Sequence, residues 1–314
     1  MASYTRIKQS DLVEILSAYS LGEPLSIHEL KGGQANSSFR FATRQGDFVL
    51  SVCDEKPLPE VIRLVAVLDL LKTHDFPTTR VVKTRNGEPA LDWHGKPVMI
   101  KSYIAGDVPR EINGAMMRQV GRQLARLHRI PAPAGIPRRF AYGLDSFREV
   151  IDAHRHSGYG RWLAAKSRSL EEALACDLPR CMIHGDLFYD NTLFDDGQLV
   201  AVLDFEEVCV YFRIFDIGMC LVGFWAREGK VSLELAGSLL SGYQSEMPLT
   251  AEERARLRDF AVFGATATSF WRFRQYNMVI PGSPLARSHL PMDRLADELT
   301  AFPREAFRDA VFNN

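Results

Sequence analysis

The sequence predicts an α+β fold with a strand-rich N-terminal part and a mainly helical C-terminal part. Between residues 26 and 52, short segments alternate apolar with polar side chains and are separated by turns that contain glycine, which is typical of a β-meander. Beyond residue 105, apolar residues recur at helical spacing over long segments. We therefore expect an N-terminal lobe over 1–104 and a helical C-terminal lobe over 105–314.

In the N-terminal lobe, a helix is predicted from Ser10 to about Leu21, because a serine N-cap precedes helically spaced apolar residues and a glycine follows them. The segments SIHEL, SSFRFAT and DFVLSV are predicted to form a three-stranded meander. The apolar repeat of LPEVIRLVAVLDLLKTHD predicts a helix. TTRVVKT and PVMIKSYI are predicted strands joined around the turn RNGE.

The C-terminal lobe begins with a predicted helix over NGAMMRQVGRQLARLHRI. Further helical patterns lie near 146–176, 232–246, 251–280 and 292–313. The exception is a strand-rich segment around 181–204. Its polar residues lie at the ends of predicted strands in a lobe that is otherwise predicted to be helical.

Composition excludes several classes of protein. The formal net charge of −1 gives no general reason to expect a nucleic-acid or membrane partner. The five cysteines show no CxxC spacing, which favours a reducing compartment over a disulfide framework. The N-terminus lacks the apolar core of a signal peptide and no apolar run reaches the roughly 18 residues of a membrane span, so we expect a cytoplasmic protein.

The segment HGDLFYDN carries the clearest chemical signal. His184, Asp186 and Asn191 form H-G-D-x-x-x-x-N, and the following strand LVAVLDF ends in Asp204. Protein-kinase-like folds have the catalytic loop H-R-D-x-x-x-x-N, followed by a metal-binding aspartate at the end of a hairpin strand. A carboxylate there accepts the proton of the attacking hydroxyl, and an amide oxygen with a second carboxylate suits Mg²⁺. We predict Asp186 as the catalytic base, Asn191 and Asp204 as metal ligands, and His184 as a bracing residue.

On these residues the sequence resembles the aminoglycoside phosphotransferase and choline kinase superfamily, whose signature is H-G-D. Within it, the chain looks most like the bacterial homoserine kinases of the kinase-like type. The resemblance also covers LKGGQANSSFRFAT, TRNGEPALDWHGKPVMIKSYIAGD, QVGRQLARLH, LDFEEVCVYFRIFDIGMCL, LLSGYQ and FWRFRQYN. It implies a protein-kinase-like bilobal fold with a hinge at about 100–105. It also implies ATP- and Mg²⁺-dependent phosphorylation of a small-molecule hydroxyl, with L-homoserine as the leading acceptor and a place in threonine biosynthesis.

The N-terminal lobe is expected to bind the nucleotide. The predicted nucleotide-binding residues are Gly32, Gly33, Asn36, Ser37, Ser38, Ser51, Lys101 and Tyr103. The two glycines permit close backbone approach, and the polar residues that follow them offer donors to phosphate, although the full G-x-G-x-x-G is absent. Ser51 stands where the phosphate-binding lysine of kinases is expected, which the resemblance implies to be a feature of the subfamily. The resemblance places Lys101 and Tyr103 in the hinge, beside the adenine.

An amino-acid acceptor needs an acidic group for its ammonium and an arginine or amide donors for its carboxylate. The candidates are Glu206, Glu207, Arg272 and Arg274. Asp216 resembles the second aspartate of the superfamily, which braces the catalytic loop. In DFEEVCV, two glutamates stand where homoserine kinases tend to have an aromatic and a polar residue, so the acceptor stays open at this stage.

Two alternatives remain from sequence. One is a kinase for another amino alcohol, a choline-like compound or an aminoglycoside. The other is a non-catalytic kinase-like binding protein, which Ser51 suggests and which the intact Asp186, Asn191 and Asp204 argue against. The expected partners are ATP, Mg²⁺ and a small molecule with a hydroxyl group, with the chain a monomer or homodimer.

Overall fold

The computed structural model describes residues 5–30 and 36–312. The chain divides into two compact units, Met1–Gly106 and Asp107–Asn314, which are described separately. The predicted lobe boundary at residue 104 and the hinge stay predictions.

The elements of the first unit are α1 (Gln9–Leu16), β1 (Ser26–Glu29), β2 (Ser37–Thr43), β3 (Gly46–Val52), α2 (Leu58–Thr73), β4 (Val81–Val82), β5 (Leu91–Trp93) and β6 (Lys96–Ser102). The described strands form a six-stranded antiparallel sheet in the order β1-β2-β3-β6-β4, with β5 paired to β6. The predicted meander of β1, β2 and β3 is confirmed. Helix α1 buries Leu12, Ile15 and Leu16 against the apolar residues of this sheet.

One prediction in this unit was wrong in detail, and one strand was not predicted. Helix α1 ends at Leu16 and is followed by turns, so the predicted end near Leu21 was five residues too late. The three-residue strand β5 was not predicted, because so short a segment shows no alternation. It forms a hairpin with β6 through His94 and Gly95, whose positive φ angles of 51° and 80° fit the tight turn that matches the twist of paired strands.

The second unit is mainly helical. Its helices are α3 (Gly114–Arg129), α4 (Leu144–Ala153), α5 (Gly158–Leu174), α6 (Arg213–Glu228), α7 (Leu233–Glu246), α8 (Ala251–Phe273), α9 (Leu290–Ala301) and α10 (Arg304–Phe312). Its strands are β7 (Arg180–Ile183), β8 (Thr192–Asp195), β9 (Gln198–Val202) and β10 (Cys209–Phe212), in the antiparallel pairs β7–β10 and β8–β9. A π-helix over Arg274–Val279 continues α8.

Helix α6 is the central element that sequence analysis did not predict. Residues 213–225 are buried on every side, so most of the helix lacks the solvent-exposed polar face that sets an amphipathic surface helix apart. Among the described residues, no helix combines the length and apolarity that crossing a membrane requires. The predicted helices over 146–176 and 292–313 are each divided in two, the second at Pro303.

The start of α6 is held to the start of α8 by a buried ion pair. Arg213 donates from Nε and Nη2 to the two carboxylate oxygens of Glu253, at 2.5 and 2.6 Å. Glu253 also accepts the backbone N–H of Thr250 at 2.8 Å, which closes the capping box of α8. The pair therefore fixes the N-terminal ends of two buried helices at once.

We expect Glu253→Gln to lower the free energy of unfolding by about 3 kcal/mol, because it leaves a buried guanidinium without its counter-charge. Urea denaturation measures the change. The matched control is Glu252→Gln, since the neighbouring Glu252 is 54% exposed in its pair with Arg256 and its loss should cost less than about 1 kcal/mol. Equal changes in the two variants would contradict the role of burial.

Candidate active site

The HGD segment forms a loop between β7 and β8. Strand β7 ends at Ile183, the chain turns at Gly185 with φ of +83°, and a single 3-10 turn over Tyr189–Asn191 leads into β8. Asp186 is half-buried at the centre of this loop. The turn therefore presents a carboxylate at the end of a buried strand.

His184 connects this loop to the end of β9. Its Nε2 lies 2.8 Å from the carbonyl oxygen of Leu203, and its Nδ1 accepts the backbone N–H of Asp186 at 3.2 Å. A carbonyl can only accept, so Nε2 carries the ring proton and Nδ1 is the acceptor. One fully buried imidazole thus positions both Asp186 and the residue that precedes Asp204.

Asp216, in the first turn of α6, holds the same loop through hydrogen bonds to its backbone. Its carboxylate accepts the backbone N–H groups of His184 at 2.7 Å and Gly185 at 2.8 Å. Burial alone would raise the pKa of Asp216, but the hydrogen bond and charge of His128 outweigh burial and lower it. Asp216 is therefore an ionised acceptor inside the protein.

His128 on α3 is the counter-charge of Asp216. Its Nε2 lies 3.0 Å from the Asp216 carboxylate, and its Nδ1 lies 2.8 Å from the Tyr243 hydroxyl. Burial opposes the charged form of His128, but Cys181, Tyr243 and Asp216 raise its pKa well above the usual value. The Tyr243 hydroxyl donates to the sulfur of Met247 at 3.5 Å, which leaves its oxygen to accept from the imidazolium.

Asn191 and Asp204 supply oxygen atoms beside Asp186. The Asn191 amide nitrogen donates to the backbone carbonyl of Asp186 at 2.8 Å, so its Oδ1 is the atom available to a cation. Asp204 is exposed and has a left-handed φ of +62°, a conformation that aspartate tolerates better than most residues. Among the described residues, no three His, Cys, Asp or Glu side chains assemble a metal site. An amide and a carboxylate oxygen fit Mg²⁺ that completes its coordination with substrate phosphates and water.

Negative charge is concentrated around Asp186. Burial raises the pKa of Asp186 well above its usual value, and the charges of Asp204, Glu207 and Asp190 raise it further. Arg272 acts in the opposite direction. Asp190, one residue before Asn191, is an acidic member of the site that sequence analysis passed over.

Glu207 packs against the catalytic loop. A β-carbon at Gly185 would lie 2.7 Å from the carbonyl oxygen of Glu207, so the loop can approach only because residue 185 has no side chain. The Tyr142 hydroxyl lies 3.5 Å from the Glu207 carboxylate, and burial together with the charge of Glu207 raises the pKa of Tyr142. Sequence analysis missed Tyr142, which follows a proline-rich connection with no recognisable pattern. The other candidate glutamate, Glu206, donates its backbone N–H to Asp204 at 3.4 Å.

The two candidate arginines lie in different surroundings. Arg272, in the last turn of α8, is close enough to Asp186 and Asp190 for their charges to act on it, and it donates to the Ser288 carbonyl at 3.2 Å. Burial lowers the pKa of Arg272 while these carboxylates oppose that shift. Arg274 instead forms an ion pair with Glu149 at 2.8 Å, both side chains being partly exposed. The contacts of both arginines with an acceptor stay predictions.

In the first unit, Gly32 and Gly33 lie outside the described residues. Ser37 donates from its hydroxyl and its backbone N–H to Asp54, at 2.6 and 3.2 Å. Ser51 is fully buried, and within the described part of the chain its hydroxyl has no hydrogen-bond partner. The contact of Ser51 with a nucleotide stays a prediction.

The remaining nucleotide candidates lie on or beside strands of the same sheet. Asn36 precedes β2 and Ser38 belongs to it, and Lys101 is half-buried on β6. Tyr103 donates its backbone N–H to Asp47 at 3.1 Å, and its ring lies 3.9 Å from the Arg40 guanidinium carbon. Their contacts with a nucleotide stay predictions.

We expect Gly185→Ala to reduce turnover at least tenfold, since the new β-carbon would collide with Glu207 in a left-handed backbone conformation. Steady-state kinetics of the folded variant measures this loss. Gly197→Ala is the control, because Gly197 also has a positive φ of 72° but a β-carbon there meets no atom within 4 Å. If both variants lost the same activity, backbone strain alone would explain it.

Comparison with known proteins places this geometry in a family. Residues 26–260 match the model of the phosphotransferase enzyme family. Over 306 residues the chain is 31% identical to a homoserine kinase of Gluconacetobacter diazotrophicus, covering 94% of this chain and 95% of that protein. It is 32% identical over 267 residues to a homoserine kinase of Nitrobacter hamburgensis, covering 82% and 81%.

Solved structures of small-molecule kinases share the fold. An amicoumacin kinase solved in complex with AMP-PNP, Ca²⁺ and Ami aligns with a TM-score of 0.77 at 14% identity, over 96% of this chain and 97% of that one. A microcompartment-associated aminopropanol kinase aligns with a TM-score of 0.68 at 20% identity, over 94% and 98%. The kinase-like fold predicted from sequence is confirmed. The chain belongs to the phosphotransferase enzyme family and is a small-molecule kinase.

Proposed function

We propose that this enzyme transfers the γ-phosphoryl group of ATP to the side-chain hydroxyl of L-homoserine, giving O-phospho-L-homoserine and ADP. The observation that carries the proposal is the catalytic loop itself, in which Asp186 stands beside the oxygen donors Asn191 and Asp204 on a scaffold held by His184. The relatives named homoserine kinase, which match 81–95% of their own length, support the choice of acceptor. We infer that the reaction takes place in the cytoplasm.

Asp186 is the proposed general base. Its raised pKa makes the carboxylate a stronger proton acceptor than a solvent-exposed aspartate. As the homoserine hydroxyl oxygen bonds to the γ-phosphorus, its proton passes to the Asp186 carboxylate. The bond between the γ-phosphorus and the bridging β,γ-oxygen breaks, ADP leaves, and Asp186 returns the proton to solvent.

Asn191 and Asp204 would hold Mg²⁺, which when bound offsets the negative charge on the phosphates during transfer. Hydrogen bonds within the protein position both of these residues. Asn191 is oriented by the Asp186 carbonyl, and Asp204 follows Leu203, which is tied to His184. The same imidazole therefore sets the position of the base and of one metal ligand.

A second candidate acceptor is a cationic amino alcohol without a carboxylate. The concentration of carboxylates around Asp186 favours it, because a positively charged acceptor would be attracted there. Acceptor assays distinguish the two candidates.

The direct test is Mg²⁺-dependent ADP release with L-homoserine, ethanolamine, choline, hydroxylysine, a sugar and an aminoglycoside as separate acceptors. Homoserine-selective turnover supports the proposal. Turnover of another acceptor keeps the mechanism and replaces the substrate, and ADP release with none of the panel contradicts the proposal.

We expect Asp186→Asn to lower kcat at least about a hundredfold while Mg-ATP binding changes little, because an amide cannot accept the hydroxyl proton. Steady-state kinetics and calorimetry measure the two quantities. Asp195→Asn is the control, since Asp195 is an exposed carboxylate at the end of β8. Normal turnover of Asp186→Asn would exclude Asp186 as the base.

We expect Asp204→Ala to weaken Mg-ATP binding at least tenfold, because it removes the carboxylate proposed to coordinate the cation. Calorimetric titration with ATP, with and without Mg²⁺, separates the cation-dependent part of the affinity. Unchanged Mg-ATP affinity would refute this metal assignment, whatever happened to turnover.

A further inference from the structure

The C-terminal end of α6 carries an arginine that has no part in the proposed reaction. The guanidinium carbon of Arg227 lies 4.8 Å from the ring centroid of Tyr189, which is within the range of a cation–π contact. Arg227 also donates from Nε to the backbone carbonyl of Arg110 at 3.1 Å, and from Nη2 to the same oxygen. One side chain therefore contacts both the catalytic loop and the segment that precedes α3.

Tyr189 is the first residue of the 3-10 turn that places Asn191. Asn191 donates its backbone N–H to the Phe188 carbonyl at 3.0 Å, and the Thr192 hydroxyl donates to the Tyr189 carbonyl at 2.6 Å. Both hydrogen bonds join Tyr189 and its neighbours into one short, closed stretch of backbone. A displacement of Tyr189 would therefore move Asn191, the proposed metal ligand two residues later.

One face of α6 holds this loop at two consecutive residues. A β-carbon at Gly223 would lie 2.7 Å from the Cα of Phe188, so the helix and the loop are in close contact at that point. Arg227 follows Gly223 by four residues, and residues four apart lie on the same side of a helix. The contact that begins with close packing at Phe188 therefore continues, one helical turn later, with the guanidinium at Tyr189.

The segment that carries the Arg110 carbonyl is fixed to the strand after the turn. Asp107 and Phe194 of β8 exchange both of their backbone hydrogen bonds, each at 2.9 Å. Three residues after Asp107, the Arg110 carbonyl accepts from Arg227. The guanidinium is thus bound to a backbone that is anchored on β8, and it cannot leave Tyr189 without losing these hydrogen bonds.

The end of α6 does not need Arg227 for its own termination. Gly229 has a left-handed φ of +67° and donates its N–H to the Trp225 carbonyl at 2.9 Å, which is a common way for a helix to end. The N–H groups of Arg227 are directed to Arg110, outside the helix. The specific contacts of Arg227 are therefore those with the loop and with the segment before α3.

We propose that Arg227 is a positioning residue for Asn191: it holds Tyr189, and with it the turn that carries Asn191, in the position that binds the cation of Mg-ATP. The inference rests on the proposed function and adds a residue on which the cation-dependent affinity for nucleotide depends. Its rival is that Arg227 supplies only positive charge, either to the C-terminal end of α6 or to the nucleotide.

Calorimetric titration with ATP, with and without Mg²⁺, tests the proposal in the absence of an acceptor. We expect Arg227→Met to weaken Mg-ATP binding at least about fivefold, because both contacts of the guanidinium are lost, and to change the affinity for metal-free ATP less than about twofold. Equal weakening with and without Mg²⁺ would overturn the proposal, since loss of charge alone would explain it.

Arg227→Lys keeps the positive charge and removes the planar group that donates from two nitrogens. We expect a loss of Mg-ATP affinity between those of wild type and Arg227→Met. Wild-type affinity in Arg227→Lys would favour the rival, because charge would then be sufficient, and would overturn the positioning role.

Tyr189 provides an independent test of the same contact. Tyr189→Phe keeps the aromatic ring, so we expect its Mg-ATP affinity to stay within about twofold of wild type. Tyr189→Leu removes the ring and should weaken Mg-ATP binding by about the same factor as Arg227→Met. Equal affinities of Tyr189→Phe and Tyr189→Leu would contradict the contact between the guanidinium and the ring.

A double-mutant cycle with Asn191→Ala measures whether Arg227 acts through the proposed metal ligand. We expect Asn191→Ala alone to weaken Mg-ATP binding at least about tenfold, and the addition of Arg227→Met to weaken it less than about twofold further. If Arg227→Met caused its full loss in both backgrounds, Arg227 would act independently of Asn191 and the proposal would be wrong.

Arg180→Met is the matched control. The guanidinium carbon of Arg180 also lies over an aromatic ring, 4.0 Å from the centroid of Phe212, but this contact joins the paired strands β7 and β10. We expect wild-type Mg-ATP affinity in Arg180→Met, and thermal unfolding without ligand verifies that each variant is folded. A loss equal to that of Arg227→Met would mean that the effect is not specific to the turn.

The same measurements separate this inference from the proposed function. A loss in Asn191→Ala without a loss in Arg227→Met removes the role of Arg227 and leaves the proposed function intact. Unchanged Mg-ATP affinity in Asn191→Ala refutes the metal assignment and the role of Arg227 together.

Discussion

The candidate active site depends on one buried carboxylate. Asp216 accepts the backbone N–H groups of His184 and Gly185 and stays ionised because His128 lies 3.0 Å away. A buried carboxylate without hydrogen-bond donors and a counter-charge would destabilise the fold by several kcal/mol. The two backbone N–H groups and the His128 imidazolium therefore stabilise the ionised form of Asp216, which in turn holds the loop. These two hydrogen bonds fix the backbone just before Asp186. The orientation of Asp186 is therefore set through its backbone, and its carboxylate oxygens do not have to hold it in place.

Helix α6 makes this arrangement rigid. It carries Asp216 in its first turn, and two glycines along it allow close packing on either side. A β-carbon at Gly218 would lie 2.7 Å from the backbone of Phe260 on α8, and one at Gly223 would lie 2.7 Å from the Cα of Phe188 in the catalytic loop. The helix therefore contacts the loop twice, through a charge at one point and through close packing at the other. Its apolar sequence follows from this central position.

The features of the candidate site that could be predicted from sequence are those whose residues lie close together in the chain. Asp186, Asn191 and Asp204 lie within 19 residues, and the roles proposed for them depend on a hairpin that a short segment specifies. Arg272 and Arg274 could not be separated, although residues two apart on a regular helix point in nearly opposite directions. Which one faces the site depends on how α8 packs. Tyr142 lies far from the motif in sequence and meets it only through tertiary structure, so no local pattern indicates it.

The charges of the site explain both its strain and its choice of ligands. The charges of Asp204, Glu207 and Asp190 each raise the pKa of Asp186, and Arg272 acts against them. Like charges held together oppose folding, and the protein maintains them through backbone contacts to Asp216, His184 and Gly185 that do not neutralise the carboxylates. A divalent cation and the ammonium group of an acceptor would each relieve this repulsion on binding. Part of the free energy that opposes the assembly of these carboxylates would then be recovered when a cation binds, which would favour cationic over neutral ligands.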